Sequence, residues 1–234
     1  MSIAENVAEV RRRIAVAAGR AGRNPAEVTL MAVSKTFPPE RIREAYNAGL
    51  RIFGENRVRE FASKAAMLLD LHQAEWHMIG HVQSNKAAPA AEAFAAIDSL
   101  DSLKLAAKLN ASAGKLGKKL SVLIEINVGG ESAKSGLSPD ADELEELLTA
   151  APRLKQLEFR GLMTVPPFTE DAGEARPYFR KLRALRNQLA AQHFPAVFMD
   201  VLSMGMSHDF EVAIEEGSTC VRVGTVIFGE RARL

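Results

Sequence analysis

The strongest constraint on the fold is a regular alternation of short strand-forming runs with longer segments of helical periodicity. The strand-forming runs cover residues 28–35, 51–56, 76–81, 95–100, 120–128, 158–165, 197–205 and 220–229. Strict strand–helix alternation is typical of parallel sheets with right-handed crossovers, and apolar runs of this kind indicate strands buried on both faces. The sequence therefore predicts an α/β fold with eight parallel strands.

Eight repeats favour closure of the sheet into a barrel. The 234 residues divide into eight units of about 29 residues, and a (β/α)8 barrel typically has ~250 residues. An open, doubly wound sheet would show the same alternation, so the number of units is the one argument for closure. No Pro-, Gly- or Ser-rich linker divides the chain. We therefore predict a single (β/α)8 TIM barrel domain over residues 1–234.

An extra N-terminal helix is predicted before the first strand. Apolar residues recur at helical spacing at Ile3, Val7, Val10, Ile14 and Ala17. Few residues follow the last strand-forming run, and they are too few for a closing helix. We expect the N-terminal helix to pack in the place that such a helix would fill.

Composition and charge exclude several functional classes. The formal net charge is +1, which is too small for a general attraction to nucleic acid or to an anionic membrane. No run of apolar residues is long enough to span a bilayer. The single cysteine, Cys220, cannot form an internal disulfide, which indicates a reducing compartment. We expect a cytoplasmic protein with no nucleic-acid or membrane partner.

Lys35 is a candidate nucleophile, because it ends the first strand-forming run. In a TIM barrel the chemistry takes place at the C-terminal ends of the strands, and Lys35 is the one lysine at a predicted strand tip. Desolvation beside apolar walls would free the amine lone pair that a Schiff base requires. The alternative is that Lys35 is simply solvated, which is the more common state of a lysine that closes a strand.

Arg222 lies inside the last apolar run, where alternation places it on one face with Gly224. A buried guanidinium without an acceptor is costly. Its partner is therefore either an internal aspartate or glutamate or a bound ligand, and the sequence leaves both open.

The segments after the seventh and eighth runs are suited to a phosphate group. Gly205 and Ser207 lie just before a helical pattern, and Gly224 and Thr225 form a second loop. Backbone N–H groups at a helix N-terminus bind anions, and barrels frequently bind phosphate with the loops after strands 7 and 8. An ordinary helix cap with a glycine turn is the alternative, but the two segments together favour a phosphate site.

Other catalytic motifs fail on spacing or are absent. His77 and His81 are four residues apart on a predicted strand, so about 13 Å separates them at ~3.3 Å per residue, and we predict no metal site there. The sequence contains no P-loop, no dinucleotide-binding glycine motif and no nucleophile elbow of a hydrolase.

Six separated strings resemble the pyridoxal phosphate homeostasis protein family, whose bacterial members are single-domain relatives of the alanine racemase barrel. The strings are MAVSKT around Lys35, FGENRVRE (53–60), WHMIGHVQSNK (76–86), GLMTV (161–165), LSMGMSHDFEVAI (202–214) and VRVGTVIFG (221–229). They occur in the family's order, coincide with the predicted strand ends, and the resemblance extends from about residue 3 to residue 230.

The resemblance implies a covalently bound cofactor, pyridoxal 5'-phosphate (PLP), as an internal aldimine on Lys35. It further implies phosphate contacts from the Ser203–Ser207 and Gly224–Thr225 segments, Arg222 at the pyridine nitrogen, and Asn56 near the ring. Members of the family are regarded as lacking robust catalysis and as buffering or delivering PLP, with apo forms of PLP-dependent enzymes as potential recipients.

Catalysis is disfavoured by two features of the sequence. Arginine has only hydrogen-bond donors, so Arg222 would keep the pyridine nitrogen unprotonated and weaken PLP as an electron sink. Alanine racemases share that arginine but also use a tyrosine base, whereas Tyr46 and Tyr178, the only tyrosines here, lie in helical patterns. A non-catalytic PLP homeostasis protein is the leading hypothesis. A weak amino-acid racemase and a Schiff-base aldolase for phosphorylated sugars remain as alternatives, and the lack of a second domain predicts a monomer.

Overall fold

A computed structural model describes residues 1–131 and 135–230, which form a closed barrel of parallel strands. Each strand pairs with its neighbours in chain order, and the last strand closes on the first. The strands are β1 (Thr29–Val33), β2 (Ile52–Glu55), β3 (Glu75–Met78), β4 (Ala96–Leu100), β5 (Leu120–Glu125), β6 (Leu157–Met163), β7 (Val197–Met206) and β8 (Cys220–Val223). The predicted fold class is confirmed, and the open-sheet alternative is excluded. The predicted domain range also includes residues 132–134 and 231–234, which lie outside the described part of the chain.

Helices cover the outside of the barrel. They are α1 (Ile3–Arg20), α2 (Pro39–Asn47), α3 (Val58–Ala65), α4 (Ala87–Ala93), α5 (Leu103–Lys115), α6 (Asp142–Ala150), α7 (Arg176–Gln192), α8 (Phe210–Glu215) and α9 (Thr225–Phe228). Buried apolar side chains form two clusters between the sheet and these helices. One lies mainly under α4 to α7 and the other under α1, α2, α8 and α9.

The N-terminal helix α1 closes the outer layer, as predicted. Its five expected apolar positions are buried, and it packs against α8 and α9. Ser2 and Glu5 form a capping box at its first turn, which satisfies two backbone N–H groups that have no partner inside the helix. Asn6 Nδ2 donates a hydrogen bond to the carbonyl oxygen of Ile227 at 2.9 Å.

Several predicted strand-forming runs end earlier than expected, and the structure shows the cause at two of them. The run 220–229 forms strand only to Val223, and Thr225–Phe228 is helical with Ile227 and Phe228 buried. A short apolar run fits a buried strand and a buried helix equally well, so the apolar pattern did not predict the change from strand to helix after Val223. The run 120–128 leaves the strand after Glu125, where the carbonyl oxygen of Glu125 and the N–H of Asn127 bond to Leu137 while Ile126 still donates to Met163 of β6.

Alternation along the strands separates an interior face from a face that packs on the helices. Met31 and Arg222 lie side by side in the β1–β8 register, and a Cβ on Gly54 would meet the sulfur of Met31 at 2.9 Å. These positions therefore face the interior of the barrel. Within the described residues, no helix combines the length and the apolar stretch needed to cross a bilayer.

Candidate functional site

Lys35 lies in the turn that leaves β1 at the C-terminal mouth of the barrel, where the sequence placed it. The backbone before it is fixed to β2, because the N–H of Ser34 donates to the carbonyl oxygen of Gly54 at 3.0 Å. The hydroxyl of Ser34 donates to Glu55 Oε1 at 2.6 Å. Both Ser34 and Glu55 are fully buried, so the start of the turn is held inside the protein.

Lys64, a residue that the sequence analysis missed, supports the same turn from α3. Its ammonium lies 2.8 Å from Glu55 Oε1, donates to the carbonyl oxygen of Ser34 at 3.0 Å, and is 3.7 Å from Glu60. Only 7% of its side chain is exposed. Burial raises the pKa of Glu55, and the nearby ammonium opposes that rise. These residues form a charged network behind Lys35.

The residue after Lys35 adopts an uncommon backbone conformation. Thr36 has φ = 69°, in the left-handed region that β-branched residues rarely occupy. Such conformations cost of order 1–3 kcal/mol and persist where the surroundings fix them. Here the backbone N–H of Thr36 donates to the carboxylate of Glu60. Hydrogen bonds made by Ser34 and Thr36 therefore fix the backbone on both sides of Lys35.

Arg222 projects into the barrel from β8 and is 3% exposed. Its guanidinium donates to the hydroxyl of Ser203 at 2.7 Å and to the carbonyl oxygen of Thr164 at 2.6 Å. Within residues 1–131 and 135–230 it forms no ion pair, and burial lowers its pKa. Among the described residues, no aspartate or glutamate contacts Arg222, so the first of the two alternatives for its partner is not observed. Two neutral oxygens hold the guanidinium.

The loops after β7 and β8 come together at the mouth, as expected for the predicted phosphate site. The backbone N–H of Gly224 donates to the hydroxyl of Ser207 at 3.1 Å, and Thr225 begins α9 directly afterwards. Gly205 has φ = +94°, and a Cβ there would lie 2.5 Å from the Cβ of Ala213. Only glycine fits this close approach. Ser203, which the resemblance also assigns to this segment, lies within β7, and its hydroxyl accepts a hydrogen bond from Arg222.

Asn56 follows β2 directly, at the same mouth. A Cβ on Gly80 would lie 2.4 Å from the carbonyl oxygen of Asn56, so the backbones after β2 and β3 are in close contact. The hydroxyl of Ser99 on β4 donates to the carbonyl oxygen of Gly80 at 2.6 Å. These contacts join three consecutive strand ends beside Asn56.

Glu125 is a second residue whose role the sequence analysis did not identify. It ends β5 and is 8% exposed, and its Oε2 has no hydrogen-bond partner among the described residues. Burial raises its pKa to about 7, with a further contribution from Asp101. The signal in the sequence was the alternation Ser121, Leu123, Glu125, which places the carboxyl on the interior face.

The opposite, N-terminal end of the barrel contains a pair of charged residues, the partly exposed His77 and the buried Asp98. His77 Nδ1 lies 3.1 Å from Asp98. Burial opposes the charged imidazolium, but Asp98 and Glu75 outweigh it and raise the pKa of His77 to about 9. Both residues line a cavity of about 260 Å³ that also contains Cys220. The cavity is lined by residues at the starts of the strands, such as Thr29 and Ile52, so this pair is separate from the mouth.

The two tyrosines lie on helices, as their sequence patterns predicted. Tyr46 is in α2, and the guanidinium of Arg51 stacks 4.1 Å from the centre of its ring. Tyr178 is in α7 and packs against the larger apolar cluster. Both rings are thus engaged in packing around the barrel.

Comparison with known protein families gives a match over nearly the whole chain. The alanine racemase N-terminal domain family matches residues 5–232. A pyridoxal phosphate homeostasis protein of Aquifex aeolicus is 48% identical over 99% of each chain. The protein of the same name from Escherichia coli K12 is 44% identical over 98% of this chain and 97% of its own.

Solved structures give the same answer for the fold. PipY of Synechococcus elongatus, in a structure with PLP bound, is 39% identical, with a TM-score of 0.84 over 97% of this chain and 100% of its own. An alanine racemase from Clostridium difficile is 16% identical, with a TM-score of 0.70 over 99% of this chain and 57% of its own. That distant likeness concerns the barrel alone.

Proposed function

The chain belongs to the pyridoxal phosphate homeostasis protein family, and on that premise we propose that it binds PLP at the C-terminal mouth of the barrel and serves intracellular PLP homeostasis. The proposal is carried by three features that lie at the same mouth of the barrel. They are the hydrogen-bonded turn at Lys35, the buried Arg222, and the two loops joined by the hydrogen bond between Ser207 and Gly224. An aldehyde, a pyridine nitrogen and a phosphate are the chemical groups that these features suit.

We assign the residues of the site as follows. Lys35 Nζ forms the reversible covalent Schiff base with the cofactor. The guanidinium of Arg222 donates to the pyridine nitrogen, and Ser203 supports it from below. Gly205, Ser207, Gly224 and Thr225 bind the phosphate with hydroxyl and backbone N–H groups, since the first N–H groups of α9 have no partner inside the helix. Asn56 lies beside the ring.

Neutral acceptors around Arg222 support the fit to PLP. A guanidinium whose charge is not cancelled by a neighbouring carboxylate favours an electron-rich ligand atom. Arginine remains charged and has no proton acceptor, so it holds the pyridine nitrogen unprotonated. Bound PLP supplies an electrophilic carbon, and this arrangement limits its capacity to withdraw electrons.

We therefore propose buffering or delivery of PLP rather than robust catalysis. Apo forms of PLP-dependent enzymes are the proposed recipients, the monomer is the proposed state, and the cytoplasm is the proposed location. The packing of both tyrosines on helices supports this choice over a two-base racemase. The aldolase alternative lacks an observation in its favour.

The proposal is tested by borohydride reduction of the PLP-loaded protein, followed by peptide mapping. We expect the pyridoxyl adduct on Lys35, because the turn after β1 holds that residue at the mouth. Lys35→Ala should lose the visible absorbance while remaining folded by circular dichroism. Lys86→Ala, which removes an exposed lysine near the mouth, is the matched control and should keep both the absorbance and the adduct.

Pyridoxal without its phosphate provides a second arm of the same experiment. If the loops of Ser207 and Gly224 bind phosphate, pyridoxal at equal concentration should modify Lys35 far less. An adduct found only on another lysine would overturn the assignment of Lys35. Equal modification by the two compounds would overturn the phosphate site.

A further inference from the structure

Phe37 closes the turn that contains Lys35. Its backbone N–H donates to the carbonyl oxygen of Ser34 at 3.2 Å, and its own carbonyl oxygen accepts a hydrogen bond from Lys64 Nζ at 3.4 Å. The turn therefore forms one hydrogen-bonded unit over residues 34–37, and Phe37 is its last residue.

Phe228 closes the loop after β8 in a similar way. This loop begins with Gly224 and Thr225, to which the proposed function assigns the phosphate. The backbone N–H of Phe228 donates back to the carbonyl oxygen of Gly224 at 2.9 Å, and Phe228 is 3% exposed. Phe228 is therefore fixed relative to Gly224, so a displacement of one displaces the other.

The sheet alone does not hold the turn against the loop. The β1–β8 register ends at Ala32 and Val223, and Lys35 and Thr225 both lie beyond these residues. From there each chain leaves the sheet. Contacts between side chains therefore determine the spacing between the turn and the loop.

Two side chains from the Lys35 side make such contacts. The ring of Phe37 stacks on the ring of Phe228, with 4.7 Å between the ring centres and 25° between the ring planes. From α2, which follows the turn, Arg41 donates to the carbonyl oxygen of Phe228 at 3.0 Å. Both contacts end on the residue that is fixed relative to Gly224.

The chemistry of PLP requires its two anchors to lie side by side. The aldehyde that reacts with Lys35 and the arm that bears the phosphate are attached to adjacent carbons of the ring. A ligand that is held at two points gains affinity only as far as the spacing of the two sites matches its own. A fragment that binds at one of the points gains nothing from this spacing. A residue that fixes the spacing therefore strengthens the binding of the whole molecule and not of its fragments.

We propose that Phe37 is a positioning residue, which fixes the Lys35 turn against the Gly224–Thr225 loop through its stack on Phe228, with Arg41 as a second link. The inference rests on the proposed PLP site and adds the contacts that join its aldehyde end to its phosphate end.

The test compares PLP with its two fragments, pyridoxal and methyl phosphate, in the wild type and in Phe37→Leu. Visible absorbance of the Lys35 adduct gives the association constants of PLP and pyridoxal, with Lys35→Ala as the background, and competition with PLP gives that of methyl phosphate. The constant for PLP divided by the product of the two fragment constants is an effective concentration. The internal hemiacetal of pyridoxal lowers its constant equally in every variant. We expect the effective concentration to fall about tenfold in Phe37→Leu, because leucine is apolar but has no ring to stack.

Arg41→Met is a second variant that should cost the fold little, because 38% of the Arg41 side chain is exposed. It should lower the effective concentration by less than Phe37→Leu does. Arg43→Met is its matched control. Arg43 lies on the same helix, 39% of its side chain is exposed, and it donates to the carbonyl oxygen of Met67. Its loss should leave the effective concentration unchanged.

The effective concentration separates positioning from a general effect on the fold or on one anchor. If Phe37→Leu weakens PLP and one fragment equally, the effective concentration stays constant and the inference is wrong. An equal fall in Phe194→Leu, which alters a partly buried phenylalanine before β7, would also contradict it. Should Phe37→Leu fail to fold by circular dichroism, equal values for Arg41→Met and Arg43→Met would overturn the inference. A wild type that forms no adduct with PLP at Lys35 would instead overturn the proposed function.

Discussion

Two regions of the barrel bury a cation, and they hold it in different ways. On the β1–β2 side, Lys64 lies 2.8 Å from the carboxylate of Glu55, and 7% of its side chain is exposed. On the β7–β8 side, Arg222 is 3% exposed and donates to a hydroxyl and a carbonyl oxygen. The first cation has its counter-ion beside it, and the second has only neutral acceptors among the described residues.

This difference supports a structural role for the charge of Lys64 and the proposed ligand-binding role for the charge of Arg222. The attraction between Lys64 and Glu55 offsets part of the desolvation of the buried carboxylate, and the result is a fixed turn at Lys35. The neutral oxygens around Arg222 orient the guanidinium, and the carboxylates of Asp98, Asp209 and Glu125 attract it without an ion-pair contact among the described residues. A site that must bind and release an anionic or electron-rich molecule requires the second arrangement.

Removal of Lys64 should have the largest effect on stability. Lys64→Met leaves the carboxylate of Glu55 buried without its counter-ion, and such losses are about 3–5 kcal/mol. We expect that decrease in the free energy of unfolding of the apo protein, measured by urea denaturation. The double variant Glu55→Gln with Lys64→Met should recover part of it, since no buried carboxylate remains.

The matched control for Lys64 is Arg12→Met, which breaks an exposed ion pair with Glu9. Exposed pairs contribute little, so the control should unfold like the wild type. A Lys64→Met protein as stable as this control would show that the charged network is not structural.

His77 is a partly exposed cation whose charge can be removed by raising the pH. Its pKa, raised from 6.5 to about 9 beside Asp98, means that the folded state binds the proton more tightly than the unfolded state. The resulting stability is present below pH 6.5 and is lost as pH rises through 9. We expect a loss of about 2–3 kcal/mol, measured as the difference between wild type and His77→Gln across that range. Parallel pH profiles for the two proteins would contradict the pairing with Asp98.

Replacement of Arg222 should have the smallest effect on the apo protein. Arg222→Met leaves one hydroxyl and one carbonyl without a donor but also removes a buried charge, so we expect a loss of about 1–2 kcal/mol. In the PLP-loaded protein the same substitution should change the visible absorption spectrum, as should Arg222→Glu. A loss in the apo protein as large as that of Lys64→Met, with an unchanged spectrum, would assign Arg222 to the structural class.

The fold was predictable because its signals are local and repeated. Eight alternations of strand and helix predicted the barrel, and the spacing of Ile3, Val7 and Val10 predicted α1. The errors fell at the ends of the runs. Beyond Val223 the chain remains apolar but becomes helical, and beyond Glu125 one edge of the backbone bonds to Leu137 instead of continuing the strand. A short apolar pattern does not distinguish these outcomes from a longer strand.

The site was predictable only in part. The end of the first run predicted the position of Lys35, and alternation along the last run predicted that of Arg222. The two loops of Ser207 and Gly224 are in contact, as expected. Lys64 was missed because it lies in a helical pattern four residues after Glu60, where charged residues usually form a solvated face. Its contact with Ser34 crosses 30 residues, so only the folded chain identifies it. Alternation along β5 places Glu125 on the interior face, but the sequence could not predict that its Oε2 lacks a hydrogen-bond partner among the described residues.

The packing of α1 also determines when the molecule can be completed during synthesis. Asn6 bonds to a residue 221 positions later, and the apolar face of α1 rests on α8 and α9. At about 5–20 residues per second, a ribosome needs roughly 10–40 s to produce the partners of a helix that it made first. During that time the face containing Val7 and Val10 is open to water, to other nascent chains and to chaperones. The packing of the first helix on the last two can therefore form only after almost the whole chain has been synthesised, and contacts of such large sequence separation are typical of slowly folding chains.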